Sequence, residues 1–582
     1  MQKYILPLLT AVLILLFYLG LPELSKVSLI KQPKKLDRKD GIIMLVFCLV
    51  FGFADFSGLG DKVAPESFVN MNGQEAVFDL GKSLTVYEFS LYSGVGYGTY
   101  TIDFSADGED YNSELSFTQD AGDVLRWNYI YTDPAITQGV RYVRIRGEGN
   151  AYLGEVVIID ELSDEGYHAA DASVNISELN DEQEKYCPKY SFMNSSYFDE
   201  IYHARTAWEH LNNVYPYEIS HPPLGKLIIS IGIALFGMTP FGWRFSGTLL
   251  GVLMLPIMYV FIKKLFGSRK ASIAGTLVFA ADFMHFVQTR IATIDVYAVF
   301  FILLMYLFMY IFVFENKLWA LALSGIFFGM GAASKWTCIY AGAGLAVIWA
   351  IYRVVNRRRG FAAFLSNSGF CVVFFIMIPC VIYYLSYIPY GTSQGVYNVF
   401  SKEYLKIVID NQVYMFNYHS KLVATHPYSS VWYQWVLDIR PILYYLNYDG
   451  AYRQSFGAFV NPMLCWGGFL ALFALGYEAV FRKDREALFI IIGYLAQLIP
   501  WVFVTRLTFE YHYFPCTVFL VLAVSYIFFI MENGNKRKNI YIFGFAGVSA
   551  ALFILFFPVL AGIRVNSSVA SNLMQWLPTW PF

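Results

Sequence analysis

Apolar runs of membrane length recur along this chain, more than a water-soluble fold could bury. They can be drawn at 4–20, 41–55, 241–262, 271–288, 294–314, 317–333, 338–353, 362–386, 458–480, 487–504, 513–531 and 540–561. Short charged hinges separate them. Of 582 residues, 57% are hydrophobic and only 15% charged, against about a quarter charged in a soluble protein. The expectation is a polytopic α-helical membrane protein of about twelve spans.

Basic residues set the order of those spans. "KQPKKLDRK" (31–39), "KKLFGSRK" (263–270), Arg353 with Arg357–Arg359, "FRKDR" (481–485) and "NKRK" (535–538) fall at alternate ends of the runs. Clusters of this kind mark the cytoplasmic side. Residues 57–222, the loop 387–457, both termini and the hinges carrying Arg290, Lys335 and Arg506 are then outside. The run 224–237 must not cross, and reads as a re-entrant or interfacial helix. The first run reads as a retained anchor, because basic residues follow it and no small-residue cleavage site is evident.

Four segments result: 1–56, two membrane helices joined by a cytoplasmic basic loop; 57–160, an extracytoplasmic insertion; 161–190, a linker; and 191–582, a membrane module with outer loops 191–240 and 387–457. The insertion alternates apolar and polar residues in "TYTIDFS" (99–105), "VRYVRIRG" (140–147) and "GEVVIID" (154–160), with turn formers between. That pattern predicts an antiparallel β-sandwich. The order of Asp79–Gly81, Ser105–Gly108 and Arg141–Arg144 resembles a discoidin-like (coagulation factor type C, galactose-binding-like) jelly roll, which implies carbohydrate as a candidate ligand. Residues 160–186 carry nine acidic residues against Lys185, a solvated linker by composition.

Seven cysteines without a CxxC pair, six of them in or beside apolar runs, argue against a disulfide framework or a zinc site. A formal net charge of −2 gives no basis for nucleic-acid binding.

Chemistry collects in the outer segments. "YFDEIYHARTAWEHL" (197–211) carries the acid pair Asp199 and Glu200. As a helix it places Tyr197, Ile201, Ala204, Trp208 and Leu211 on one stripe, with Asp199, His203, Thr206 and His210 opposite. This predicts an amphipathic helix lying on the membrane surface. Further along come "SHPPLGKLII" (220–229), "ADFMHFVQTRIATIDVY" (281–297), "GAASKWTCIY" (331–340), "THPYSSVWYQW" (425–435) and "RLTFEYHYFP" (506–515).

These segments, in this order, resemble the protein O-mannosyltransferases, a polyprenyl-phosphate-mannose-dependent family of the GT-C glycosyltransferases. The strongest pieces are Phe198-Asp199-Glu200, His221-Pro222-Pro223-Leu224, Gln288-Thr289-Arg290 with Asp295, Lys335-Trp336, His426-Pro427-Tyr428 with Trp435, Arg440-Pro441, and His512-Tyr513-Phe514-Pro515. Two departures stand out. Tyr202 precedes His203 where the family usually has His two residues after the acid pair, and 387–457 is too short for the MIR repeats of the fungal enzymes.

The resemblance implies a GT-C membrane enzyme of bacterial type, in the plasma membrane with its site on the extracytoplasmic face. Its donor would be a polyprenyl-phosphate sugar and its acceptor a Ser or Thr hydroxyl of an exported polypeptide. A hydroxyl attacking an anomeric carbon needs a base, and the departing phosphate needs cations. Asp199 is expected as the base, with Glu200 positioning it. Arg290, Lys335 and Arg506 are expected at the phosphate, and Asp295 beside Arg290 or a sugar hydroxyl. His203, His221, His426, Trp435 and His512 are candidate substrate contacts. No cofactor and no metal are expected. Alternatives are a GT-C transferase using another lipid-linked sugar or a lipid or cell-wall glycan acceptor, or a non-enzymatic membrane-anchored lectin or transporter.

Overall fold

The computed structural model describes residues 4–22, 35–163, 166–355, 361–534 and 539–582. The expected basic clusters Arg357–Arg359 and Lys536–Lys538, and Lys31–Lys34 of the first loop, lie outside the described residues. The chain divides into two units, one of Met1–Ser57, Asn213–Ile228 and Phe245–Phe582, the other of Gly58–Asn212 and Ile229–Arg244.

The first unit is helical. Among the described residues seven helices are long and apolar enough to cross a membrane, or eight if the bent pair Arg269–Ala280 and Phe283–Thr289 is one span. This is a multi-pass integral membrane protein. A helix stands at every expected run, but Ile5–Leu19, Leu318–Ser334 and Cys338–Val354 are shorter than a straight crossing needs. Glu510–Asn533 is almost wholly buried, whereas Ser368–Thr392 exposes most of its apolar surface, as a lipid-facing helix does.

Ion pairs tie one set of helix ends together. Arg269 reaches Asp40 at 2.8 Å, Lys264 reaches Glu315 at 2.8 Å, and Lys270 reaches Glu532 at 3.6 Å. These ends carry the basic residues expected in the cytoplasm. Elsewhere in the unit, strands β9 (Ile442–Asp449) and β10 (Tyr452–Ala458) form an antiparallel hairpin, joined at its edge by Val565–Asn566. The two-residue turn holds Gly450 at φ +58°, a conformation that favours glycine.

The second unit is built on an eight-stranded sheet. In chain order its strands are β1 (Val69–Asn70), β2 (Glu75–Thr85), β3 (Glu88–Ser105), β4 (Asn112–Gln119), β5 (Arg126–Tyr131), β6 (Gln138–Ser163), β7 (Gly166–Ala169) and β8 (Ser173–Val174). All ladders between them are antiparallel. The segments expected to alternate lie in β3 and β6, whose inward residues Tyr100, Ile102, Phe104, Val143 and Ile145 form the core with Phe78 and Phe89. Arg141 grips Asp79 from β6 to β2 at 2.9 Å, and Ser105 Oγ accepts from the Gly108 amide in the β3–β4 turn. At Gly96, φ +97°, a Cβ would stand 1.9 Å from the Asn150 carbonyl, so only glycine fits this irregularity between β3 and β6.

The acidic stretch expected as a linker is instead part of this unit. β7 pairs with β6 and β8 with β2, while Ala172, Val174, Ile176 and Leu179 pack on the core. Its sparse apolar residues are spaced to reach the sheet, which the acidic composition concealed. The helix Glu200–Leu211 also belongs to this unit rather than to the membrane module.

Candidate active site

In the sheet unit, Asp199 occupies the N-cap position of the helix Glu200–Leu211, and its carbonyl accepts from the amides of Tyr202 and His203 at 3.1 Å. Phe198 before it holds φ +49°, an uncommon conformation for a bulky residue that turns the chain into the helix. The two acids are separated by environment. Glu200 is fully buried, and Arg244 donates to it from Nε and Nη2, both at 2.8 Å. Arg244 also donates, at 2.8 Å each, to the carbonyls of Leu59, Phe192 and Ser195. Arg244 thus ties Glu200 to the loops around it, while Asp199 is only partly buried.

The rest of the helix departs from the expected amphipathic pattern, because its polar face is buried along with Tyr197 and Ala204 of the apolar stripe. His203, Arg205, Thr206, Glu209 and His210 are buried, and Leu211 is exposed. Arg205 bonds Glu209 at 2.8 Å, Thr206 bonds the same carboxylate at 3.1 Å, and Arg205 lies over the Tyr97 ring. A polar face that satisfies its own groups can be buried against protein. Trp208 packs on Phe68 and Tyr152 of the sheet unit.

In the helical unit, cations and histidines converge. Lys335, just past the helix Leu318–Ser334, bonds Asp295, the first residue of the preceding long helix Asp295–Glu315, at 2.7 Å. Asp295 therefore partners Lys335, not Arg290. One of three ammonium protons is so used, and Lys335 also lies over the Tyr511 ring. Arg506 donates to the Leu507 carbonyl at 3.2 Å, and no carboxylate among the described residues pairs with it. Lys335, Arg506 and His221 all lie within electrostatic range of both His419 and His512.

His221 is held through Nδ1 by Glu218 at 3.1 Å, and Lys226 bonds the same carboxylate at 2.6 Å. His512 stacks between Trp435 and Tyr511 and meets Trp501 at 4.4 Å. His426 lies beside Phe509, its pKa lowered by burial. Next to Trp435 and Trp501, an apolar cavity of about 520 Å³ opens between Val436, Phe469, Phe473, Tyr494 and Leu498.

Arg290 stands apart. Its Nη1 donates to the carbonyls of Ala54 at 3.1 Å, Asp55 at 2.5 Å and Ser57 at 2.9 Å, so it caps the helix Arg38–Phe56. Sequence reasoning missed Arg244, Glu218 and His419. Nothing in the local pattern marks Arg244, whose partner is 44 residues away, whereas Glu218 stands three residues before His221.

Two family models match the chain, and both describe protein mannosyltransferases. Residues 220–383 match a family described as dolichyl-phosphate-mannose-protein mannosyltransferase, and 404–580 match the C-terminal four TMM region of protein-O-mannosyltransferase. Together these matches cover more than half of the chain. The polyprenol-phosphate-mannose–protein mannosyltransferase of Mycolicibacterium smegmatis is 24% identical over 66% of this chain and 87% of its own. That of Mycobacterium tuberculosis is 23% identical over 66% and 86%. The fold resembles a chain of the Saccharomyces cerevisiae protein O-mannosyltransferase Pmt1–Pmt2 complex bound to the sugar donor, with TM-score 0.59 and 12% identity over 66% of this chain and 89% of that one. The chain belongs to the protein O-mannosyltransferase family, within the GT-C type of membrane fold.

Proposed function

We propose that this protein transfers mannose from a polyprenyl-phosphate donor to Ser or Thr hydroxyls of exported polypeptides. The observation that carries the reading is the cluster around Arg506, a cation without a carboxylate partner among the described residues, which acts together with Lys335 on both His419 and His512. Such a cluster suits the phosphate of a lipid-linked sugar. The curated relatives with this name support the donor and acceptor classes.

In the reaction that the family resemblance implies, the acceptor oxygen attacks the anomeric carbon as a base, the role that resemblance gives to Asp199, takes its proton. The bond from that carbon to the phosphate oxygen breaks, and the oxygen leaves with the electron pair. Polyprenyl phosphate gains a negative charge, which Arg506 and Lys335 stabilise, while Asp295 holds Lys335 in place. Attack opposite the leaving group inverts the anomeric centre. Glu200 anchors the Asp199 turn through Arg244. Arg290 acts on structure, capping the helix Arg38–Phe56. The apolar cavity beside Trp435 suits the first isoprene units of the donor tail.

The proposal includes about twelve spans with the site on the outer face of a bacterial plasma membrane, in line with the charge asymmetry of the loops. The sheet unit is read as a discoidin-like β-sandwich that docks acceptor or carbohydrate. The test is purified protein with polyprenyl-phosphate-mannose and a Ser/Thr-rich peptide. Mannosylated peptide of inverted configuration is expected; label appearing only on lipid or glycan acceptors would contradict the reading.

A further inference from the structure

His419 lies in the last turn of the helix Lys402–Lys421, and its ring meets His221 at 5.0 Å and Trp336 at 6.3 Å. Its Nε2 is 2.8 Å from the carbonyl oxygen of Ser220. A carbonyl only accepts, so Nε2 carries the proton, and Nδ1 of the neutral ring is left with a lone pair. That atom is screened from water and has no hydrogen-bond partner among the described residues. A buried acceptor in this state costs free energy until a donor reaches it.

The surroundings say which donor fits. Burial, followed by His221, Arg506 and Lys335, pushes the His419 imidazole down to about 4, so it stays neutral at physiological pH. A neutral ring with an unpaired lone pair repels a phosphate oxygen and suits a hydroxyl. The cations that would hold a donor phosphate, Arg506 and Lys335, are the same ones that act on this ring. A molecule bound to them by its phosphate carries sugar hydroxyls one or two bonds from the anomeric carbon. His221, whose ring meets that of His419 edge to face at 5.0 Å, is itself 23% exposed, so the pair lies close to accessible surface. Trp336, fixed by its Nε1 bond to Tyr383 at 3.0 Å, adds an apolar face of the kind that packs on sugar C–H groups.

Resting on the donor class proposed above, we propose that His419 Nδ1 accepts a hydrogen bond from one hydroxyl of the donor sugar, with Trp336 beside it, and so sets which sugar is transferred. His419 would then be a specificity-determining residue that neither the family comparison nor the sequence motifs single out.

The test is the full-length protein in detergent with polyprenyl-phosphate-mannose and its monodeoxy analogues. With the natural protein, one analogue should lose about tenfold in kcat/KM. His419→Gln can keep the Ser220 bond but lacks an acceptor at the Nδ1 position. It should lose about tenfold on the full donor and nothing further on that analogue. His419→Asn, whose amide oxygen reaches the Nδ1 position, should keep the discrimination. Losses that multiply for every analogue in the Gln variant, or Gln and Asn variants that behave alike, would overturn the proposal. No transfer of mannose by the natural protein would instead remove the donor reading on which it rests.

Discussion

The guanidinium of Arg244 closes on the carboxylate of Glu200 through two hydrogen bonds of 2.8 Å, with the side chains 1% and 0% exposed. The pair divides the labour of two adjacent acids. Glu200 is buried as an anchor, and Asp199 is left partly exposed.

Removing one partner of this pair leaves a buried charge without compensation, at a cost of about 3–5 kcal/mol. Glu200→Gln and Arg244→Met should therefore lower the thermal midpoint by several degrees, and lower activity with it. Thermal unfolding in detergent checks this. An unchanged midpoint with lost activity would mean that Glu200 takes part in the chemistry itself.

Arg506 and Arg290 should separate cleanly. Arg506→Ala removes the proposed phosphate contact and should cut kcat/KM for donor by about 10–100-fold with little change in stability. Arg290→Ala strips three carbonyls of their donor and should cost about 1–3 kcal/mol of stability. Donor kinetics alongside thermal unfolding distinguish them, and a reversed pattern would contradict both assignments.

The proposed mechanism assigns phosphate departure to side-chain cations rather than to a divalent ion. Transfer should continue at the same rate in excess EDTA, measured on the peptide acceptor. Loss of activity restored by Mg²⁺ or Mn²⁺ would contradict this.

Glu155 gives a pH signature in the sheet unit. Its carboxylate converges with Asp181 and Glu182 and is pushed up to about 7, first by burial and then by those acids, against hydrogen bonds from Gln183 and the Glu182 amide. The folded state thus binds the proton more tightly than the unfolded chain does. Stability from this group is present below about pH 4.5 and is lost as pH rises through about 7. The midpoint of Glu155→Gln minus that of the natural protein should grow between pH 5 and 8. A constant or shrinking difference would contradict the assignment.

Much of this was legible in the sequence, and the exceptions have physical causes. Long apolar runs locate the helices because lipid leaves a chain few other options. Alternation in 99–105 and 140–147 located β3 and β6 because one face of each had to be buried. The Glu200–Leu211 helix misled because its apolar stripe suggested lipid, whereas Arg205, Thr206 and Glu209 satisfy one another and are buried. Arg290 carried the right motif and charge for phosphate, yet its geometry shows a cap. His419 was invisible: a lone histidine on an amphipathic helix acquires meaning only when Ser220, His221 and Trp336 reach it from elsewhere in the chain.

The central claim is that Asp199 takes the proton from the acceptor hydroxyl. The most direct measurement is single-turnover transfer of mannose to peptide by Asp199→Asn, with insertion and thermal midpoint checked against the natural protein. A fall of about 10²–10⁴-fold in rate, with donor affinity retained, is the predicted result. Transfer at near the natural rate by a correctly folded Asn variant would contradict it.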